Sequence, residues 1–277
     1  MNSDALRHAA NEMRIDIVKM IAEAGSGHPG GSLSCADILT ALYFGGVLKH
    51  DPAHPDDPAR DRFILCKGHA APALYAVLAQ AGYFPREELA TLRKLGSKLQ
   101  GHPDMHLVPG VEASTGSLGQ GLSIACGIAC GLRIDGNPAR VFALLGDGEC
   151  EEGQVWEAAM FAAHERLGSL VAIVDANGLQ IDGPVTDVVQ TGTLADKFQA
   201  FGWDVRHVDG HDIDALVDLL GALKEEGGDK PHVVIARTVK GKGVSFMENQ
   251  VGWHGKAPNA EQTEQAVAEL EAARKEA

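Results

Sequence analysis

The chain has 277 residues, of which 45% are hydrophobic, enough for one large core and typical of a soluble globular protein. Its 38 acidic and 24 basic side chains leave a formal net charge of −14, which repels nucleic acid and anionic membrane surfaces at long range. No stretch approaches the roughly 18 uninterrupted apolar residues of a membrane span. We therefore expect one main domain over residues 1–277, with no nucleic-acid or membrane partner.

Cysteine usage and the N-terminus indicate where the protein works. The five cysteines form no C-x-x-C pair, which argues against a zinc knuckle or a redox centre and favours a reducing cytoplasm. Cys126 and Cys130 lie four residues apart in a Gly- and Ala-rich helical pattern, where burial as small apolar side chains is the simplest interpretation. The first residues have the character of neither a signal peptide nor a transit peptide. We expect a cytoplasmic protein.

The first elements along the chain are helical. Apolar residues recur at helical spacing over residues 6–24, and Gly25 and Gly27 follow, which predicts an amphipathic helix that ends there. A second helix is expected from about residue 34 to 44. The next segment, HDPAHPDDPARD, is rich in proline and aspartate and predicts a loop.

From residue 63 onward, apolar strands alternate with helical patterns. We predict strands at 63–67, 141–145, 170–175, 204–208 and 233–237, with helices at 70–82, about 152–167 and 213–224. Such alternation indicates an α/β protein with a parallel sheet and helices on both faces. Ligands bind at the carboxyl ends of the strands in sheets of this kind. Residues 260–277 predict a charged terminal helix that is solvated or docked.

The segment GDGECEEG, residues 146–153, leaves one predicted strand and enters a helix. Its glycines allow a sharp turn with accessible N–H groups, and Asp147 offers an oxygen ligand for a hard cation. Alone, GDG is as compatible with an ordinary strand-to-helix turn. Asn177, however, follows the next strand, and a helix crossover would place the two side chains at neighbouring strand ends. We predict a metal-bridged phosphate site there.

The motifs resemble those of a known family. GDG followed about thirty residues later by Asn resembles the thiamine diphosphate motif, and GDGECEEGQVWEAAMFA with NGLQIDG resembles transketolase. The resemblance extends over nearly the whole chain. It covers, in the family's order, SGHPGG (26–31), KGHAAPALY (67–75), GHPD (101–104), STGSLGQGLSIACG (114–127) and WHGKAP (253–258). It implies the PP-type thiamine diphosphate-binding fold, transferase activity and a role in the pentose phosphate pathway.

The resemblance also implies roles for individual residues. Metal ligands (Mg²⁺, or Ca²⁺ or Mn²⁺) would be Asp147, Asn177 and the carbonyl of Leu179. Diphosphate contacts would come from Gly148, His69 and His254, and Asn177 would also count among the cofactor-binding residues. Contacts to the cofactor rings would come from Gly116, Ser117, Leu118 and Ile181. The active-site histidines would be His28, His102 and His254, and Glu152 would join a carboxylate network between cofactor sites. Imidazole suits proton transfer near neutral pH.

The same resemblance implies a missing half. The cofactor's chemistry requires a carboxylic acid at its aminopyrimidine ring, which the family carries on a second, pyrimidine-binding domain. We expect this chain to be an N-terminal subunit, or a truncation, that pairs with a C-terminal subunit in an α2β2 heterotetramer. The TGSLGQG loop and the helix after it should lie in the interface. The assembled enzyme would transfer a two-carbon ketol unit from a ketose phosphate to an aldose phosphate.

Three other interpretations remain open at this point. The chain could be part of another thiamine diphosphate enzyme, such as a 2-oxo acid dehydrogenase alpha chain or a deoxyxylulose phosphate synthase fragment, although the histidine set argues against both. It could be a metal-diphosphate-binding module without catalysis. A Rossmann oxidoreductase is disfavoured because no G-x-G-x-x-G follows a first strand.

Overall fold

A parallel sheet organises the structure, a computed structural model that describes residues 1–189 and 192–276. Within these residues the sheet has five strands in the order β1-β2-β3-β7-β6. The sheet strands are β1 (Arg62–Leu65), β2 (Val141–Gly146), β3 (Leu170–Ala176), β6 (Asp204–Asp209) and β7 (His232–Arg237), and β4 (Leu179–Gln180) with β5 (Gly183–Pro184) forms a short antiparallel hairpin. Every residue of β2 is buried, as expected of a parallel strand covered on both faces.

Helices cover both faces of the sheet. They are α1 (Ser3–Ala24), α2 (Pro29–Ser34), α3 (Ala36–Phe44), α4 (Ala71–Ala81), α5 (Gln120–Ile134), α6 (Gly153–His164), α7 (Val185–Val188), α8 (Leu194–Ala200), α9 (Ile213–Glu225) and α10 (Ala260–Glu276). Local signals set their ends. The Asn2 side chain accepts the Ala5 N–H at 2.9 Å at the start of α1, and Gly25, with φ of 62°, ends it.

The sheet separates two hydrophobic clusters. Helices α1, α3, α4 and α9 pack on one face, where alternate strand residues such as Phe142 and Leu144 are fully buried. Helices α5, α6 and α8 pack on the other face against residues such as Ala143 and Leu145. The side-chain alternation of each strand therefore supplies both cores, and the predicted α/β fold with helices on both faces is confirmed.

Most predicted elements are found within one to three residues of their expected bounds. Helices α2, α7 and α8 and the β4-β5 hairpin were not predicted as separate elements. Helix α2 is PGGSLS, whose glycines and serines are poor helix formers, and it is stabilised by Pro29 at its first turn and by complete burial. The assignment of the whole chain to one domain stays a prediction.

The terminal helix docks on the rest of the protein. Ala266 and Leu270 of α10 are buried against α1, and the Asn11 amide donates to the Leu270 carbonyl. Of the predicted helix over 260–277, residue 277 lies outside the described residues. Among the described helices, none is both long enough and apolar enough to cross a membrane.

Candidate functional site

A cavity of about 340 Å³ opens at the carboxyl edge of the sheet, where β2 and β3 end. Strands β2 and β3 are parallel neighbours with Gly146 opposite Asp175, so the turns that follow them converge. The lining residues are Gly31, Lys67, His69, Leu118, Gly146, Asp147, Gly148, Glu149, Glu151, Glu152, Asn177, Leu179, Gln180, Ile181, Lys240 and His254. The cavity lies where parallel sheets bind their ligands.

Asp147 is held firmly at one end of this cavity. Its carboxylate accepts the N–H of Gly148 at 2.8 Å through one oxygen and the N–H of Gly178 at 2.5 Å through the other. Burial, followed by the nearby charge of Asp175, raises the pKa of Asp147 to about 6. A positive ion beside this carboxylate would offset that desolvation, because it favours the charged form.

The second turn presents two further oxygens. Asn177 Oδ1 accepts the Leu179 N–H at 3.2 Å, and the Leu179 carbonyl accepts a hydrogen bond from Lys240 Nζ at 2.8 Å. The Leu179 oxygen therefore already faces a positive charge. A carboxylate, an amide and a carbonyl oxygen form a donor set that hard divalent cations prefer, so the residues present fit a divalent metal ion.

Lys240 was missed by the sequence analysis. It is 2% exposed, it also contacts His254 Nδ1 at 2.9 Å, and burial followed by the charge of Lys67 lowers its pKa to about 8. Lys240 follows strand β7 as Asp147 follows β2, so the same strand-end rule could have found it. Lys240 lines the cavity, so its ammonium group can contact a bound anion.

The rings of four histidines lie close together, and two of them, His69 and His254, line the cavity with Lys240. The ring centroids of His69 and His254 are 5.1 Å apart, those of His28 and His254 are 5.6 Å apart, and those of His28 and His102 are 6.5 Å apart. Burial, with the charges around them, lowers the pKa of His28 and His254 to about 4 and that of His69 to about 2. The three rings are therefore neutral at neutral pH.

His28 has an unused polar atom. Its Nδ1 is buried and has no hydrogen-bond partner among the residues that the structure describes. Such an atom is costly unless it is satisfied by water or a ligand.

The loop before α5 forms the opposite wall. Glu149 is buried and ties this loop to the end of β2, because its carboxylate accepts the N–H of Gly119 at 3.1 Å and that of Gly146 at 3.0 Å. Burial raises the pKa of Glu149 to about 7. Gly119 has φ of 83°, and a β-carbon there would lie 2.7 Å from Cβ of Glu152, so only glycine suits this position.

A buried ion pair supports the cavity from below. Lys67 Nζ donates to the carboxylate of Asp175 and, at 2.8 Å, to the Gly31 carbonyl. The Asp175 carboxylate also accepts hydrogen bonds from Ser34 and Thr238. Lys67 and these hydroxyls lower the pKa of Asp175 despite its complete burial. Lys67 belongs to the KGHAAPALY segment, but no role was predicted for it from the sequence.

The predicted site residues divide into two groups. Those lining the cavity are Asp147, Gly148, Asn177, Leu179, Ile181, His69, His254, Leu118 and Glu152. His28, His102, Gly116 and Ser117 lie outside its lining, although a β-carbon at Gly116 would contact the His102 ring at 2.9 Å. Ser117 and Glu152 are exposed.

Several histidines without a predicted role form structural contacts elsewhere. His211 contacts Asp37 at 2.7 Å and accepts the Val239 N–H at 2.8 Å, and His50 contacts the Tyr43 carbonyl at 2.9 Å. His232 contacts Asp204 at 3.0 Å and, with Glu226, forms a group whose ligand atoms lie within 4.8 Å of one another. The guanidinium of Arg206 lies 2.8 Å from Asp204 and 3.5 Å from Glu226, so both acids of this group are already neutralised.

Comparison with known proteins places the chain in a family. The family described as "Transketolase, thiamine diphosphate binding domain" matches residues 5–275. The 6-deoxy-6-sulfo-D-fructose transketolase subunit SqwG of Clostridium sp. (strain MSTE9) is 46% identical over 266 residues, which are 96% of either chain. An apulose-4-phosphate transketolase subunit of Actinobacillus succinogenes is 44% identical over 98% of this chain and 97% of its own.

Longer relatives match over less than half of their length. Human transketolase is 42% identical over 96% of this chain but only 42% of its own. The crystal structure of transketolase from Campylobacter jejuni superimposes with a TM-score of 0.91 at 33% identity, covering 98% of this chain and 43% of that one. The chain thus corresponds to somewhat less than half of these longer enzymes and to nearly all of the two subunits named above.

Proposed function

This chain belongs to the transketolase family, and from that premise we propose that it holds the diphosphate of thiamine diphosphate through a divalent metal ion. The observation that carries the proposal is the meeting of Asp147, Asn177 and the Leu179 carbonyl at the ends of β2 and β3. Magnesium is the proposed ion, with calcium or manganese as substitutes, because all three prefer oxygen ligands.

The diphosphate itself would be bound by groups around that metal. Gly148 presents a backbone turn to the cavity, and His69, His254 and Lys240 line it. A β-carbon at Gly148 would lie 3.0 Å from Cβ of Gln180, so a glycine keeps this wall open. We assign Leu118 and Ile181, with Gly116 and Ser117 on the same loop as Leu118, to the cofactor's rings.

The histidines would act on the substrate. Bound thiamine diphosphate supplies the electron-accepting group that a ketose needs for cleavage beside its carbonyl. His28, His102 and His254 would bind the sugar hydroxyls and move their protons, and their neutrality suits them to accept one. The reaction is transfer of a two-carbon ketol unit from a ketose phosphate to an aldose phosphate.

The names of the sulfofructose and apulose-phosphate relatives imply a partner chain, and we propose one for this protein too. The partner would carry the pyrimidine-binding domain and its carboxylic acid, in an α2β2 assembly with paired sites. An open face supports this. Among the described residues, a β-carbon added at Gly127 or Gly131 of α5 would have no heavy atom within 4 Å apart from its chain neighbours and the backbone of its own helix. Met160 and Phe161 of α6 are 50% and 45% exposed. Glu152, beside this face, would join the carboxylate network between sites.

The test is reconstitution. The chain purified alone should show no ketol transfer, and adding the C-terminal subunit should restore it in the presence of thiamine diphosphate and magnesium. Light scattering on the mixture should give two copies of each chain. Turnover by the chain alone would contradict the proposed division of labour, and tight cofactor binding without turnover in the mixture would favour a non-catalytic module.

The free cysteines agree with the proposed cytoplasmic location.

A further inference from the structure

The loop that carries Lys240 is hydrogen-bonded on both sides of that residue. The Gly241 N–H donates to the Gly30 carbonyl at 3.0 Å, and the Lys240 carbonyl accepts the Asn249 N–H at 2.9 Å. Asn249 has φ of 57°, a left-handed conformation that persists in a non-glycine residue where the surrounding structure holds it. A β-carbon added at Gly30 would lie 3.0 Å from Lys240 Cγ. The position of this backbone therefore decides where the ammonium group reaches the cavity.

A side chain holds the residue directly before Lys240. The Val239 N–H donates to His211 Nε2 at 2.8 Å. His211 belongs to the turn between β6 and α9, so this contact ties the ends of two neighbouring strands together. Because a backbone N–H only donates, His211 Nε2 is the acceptor, and the hydrogen of the neutral ring is on Nδ1.

A buried acid fixes that orientation of the ring. His211 Nδ1 donates to Asp37 of α3 at 2.7 Å, and the same oxygen of Asp37 accepts a hydrogen bond from Arg14 of α1 at 2.5 Å. Asp37 is 5% exposed and Arg14 is 7% exposed. Burial raises the pKa of Asp37, but the charge of Arg14 and the hydrogen bond from His211 outweigh it and leave the pKa below its usual value. The carboxylate therefore stays charged and keeps Nδ1 as the donor.

Arg14 contacts the same loop further along the chain. A β-carbon added at Gly243 would lie 3.2 Å from Arg14 Cδ, and φ of Gly243 is 90°. The series Arg14, Asp37 and His211 thus touches the loop at both of its ends, although none of the three lines the cavity. A buried ion pair adds little net stability, so stability alone does not account for this arrangement.

We propose that His211 is a positioning residue for Lys240. Its ring, oriented by Asp37, fixes Val239 and so holds the Lys240 ammonium group where it contacts a bound diphosphate. This inference rests on the proposed diphosphate site. His211 touches neither cofactor nor substrate, so it acts only through the loop. Loss of the Nε2 acceptor should release the loop and weaken diphosphate binding.

The first test measures binding of pyrophosphate with Mg²⁺ to the assembled two-subunit enzyme by calorimetry. His211→Asn keeps a donor near Asp37, but its shorter side chain does not reach Val239, and the affinity should fall about fivefold or more. His211→Gln places an oxygen near the position of Nε2, and its affinity should stay within about twofold of wild type. A Gln variant as weak as the Asn variant would show that the ring's shape matters and not its acceptor, and would overturn the inference.

A double-mutant cycle separates positioning from general damage to the fold. Lys240→Met removes the ammonium group and should weaken pyrophosphate binding by about tenfold or more. Adding His211→Asn to Lys240→Met should change the affinity by less than about twofold, because no ammonium group remains to be positioned. An effect of His211→Asn that is equally large with and without Lys240 would overturn the inference, as would unchanged affinity in the single His211→Asn variant.

His232→Asn is the matched control. His232 also contacts an aspartate, Asp204, at 3.0 Å, but it is the first residue of β7 and so lies at the opposite end of that strand from Lys240. This variant should bind pyrophosphate within about twofold of wild type. A loss as large as that of His211→Asn would show that any buried histidine has the same effect and would overturn the inference.

Hydrogen exchange gives a measurement without any ligand. In His211→Asn, the amides of Val239 and Gly241 should both exchange on the order of tenfold faster than in wild type, because the loop is released. Faster exchange confined to Val239 would show that the loop had kept its position and would overturn the inference. A wild-type enzyme that binds no pyrophosphate in the presence of magnesium would overturn the proposed diphosphate site as well.

Discussion

The two ends of the cavity differ in how completely this chain builds them. At the end proposed for the metal ion, here called the metal end, Asp147 is 7% exposed and Lys240 is 2% exposed, and both make hydrogen bonds within the chain. At the end proposed for the cofactor's rings, here called the ring end, Ile181 is 62% exposed, and Ser117 and Glu152 are exposed as well. The chain therefore forms the proposed diphosphate site by itself, whereas the proposed ring site would require a second surface to exclude water.

The largest expected effect would break the metal end. Asp147→Ala should weaken magnesium-dependent binding of both thiamine diphosphate and free pyrophosphate by more than about 100-fold, since loss of a ligand exceeds loss of a supporting contact. Asn177→Ala should act in the same way. Calorimetry on the assembled enzyme with each probe measures this, and unchanged affinity in both variants would remove the metal assignment.

The next largest effect separates substrate binding from cofactor binding. His28→Ala or His102→Ala should lower kcat/KM for a ketose donor on the order of 100-fold, because a proton-transfer group is lost. Affinity for thiamine diphosphate should stay within about threefold. His69→Ala should do the reverse, weakening the cofactor first. Steady-state kinetics together with cofactor titrations would distinguish the two patterns. If the His28 and His102 variants had wild-type kinetics, the result would argue for a different thiamine enzyme.

A pH experiment sharpens the comparison without a substrate. The pKa of His69 is about 2 in the fold, against about 6.5 when unfolded, so below pH 6.5 only the unfolded chain gains this proton. Below about pH 6.5, His69 therefore lowers the free energy of unfolding as the pH falls. Above that pH it has no such effect. As the pH falls from 7.5 to 5, the free energy of unfolding of His69→Gln should rise by about 1–2 kcal/mol relative to that of wild type. Urea unfolding at both pH values measures this difference, and a difference that does not change with pH would contradict it.

The smallest expected effect concerns the ring end. Ile181→Ala removes apolar surface worth about 1 kcal/mol, so thiamine diphosphate should bind about fivefold more weakly to the assembled enzyme. Pyrophosphate affinity should not change, because it contacts only the metal end. Equal weakening of both probes would show that Ile181 supports the β4-β5 hairpin and does not contact a ring.

Sequence patterns predicted most of this arrangement, for identifiable reasons. The apolar runs that became β2 and β3 have one interpretation in an alternating chain, and the crossover rule then places Asp147 beside Asn177. Lys240 was missed because the strand-end rule was applied to the turns after β2 and β3 and not to the segment TVKGKG after β7. Lys67 was missed because lysine is rarely buried, and its partner Asp175 appears only once the strands are aligned.

The ion pair between Lys67 and Asp175 has a consequence for how this protein can evolve. Loss of either partner leaves the other charge buried and uncompensated, at a cost of about 3–5 kcal/mol out of a total stability of about 5–15 kcal/mol for an ordinary domain. A substitution at only one of the two positions would therefore give a poorly folded protein. A paired change to uncharged residues would leave no buried charge without a partner. Lineages that descend from this sequence should retain both residues or exchange both together, and a library that varies position 67 alone would discard sequences that a joint library would recover.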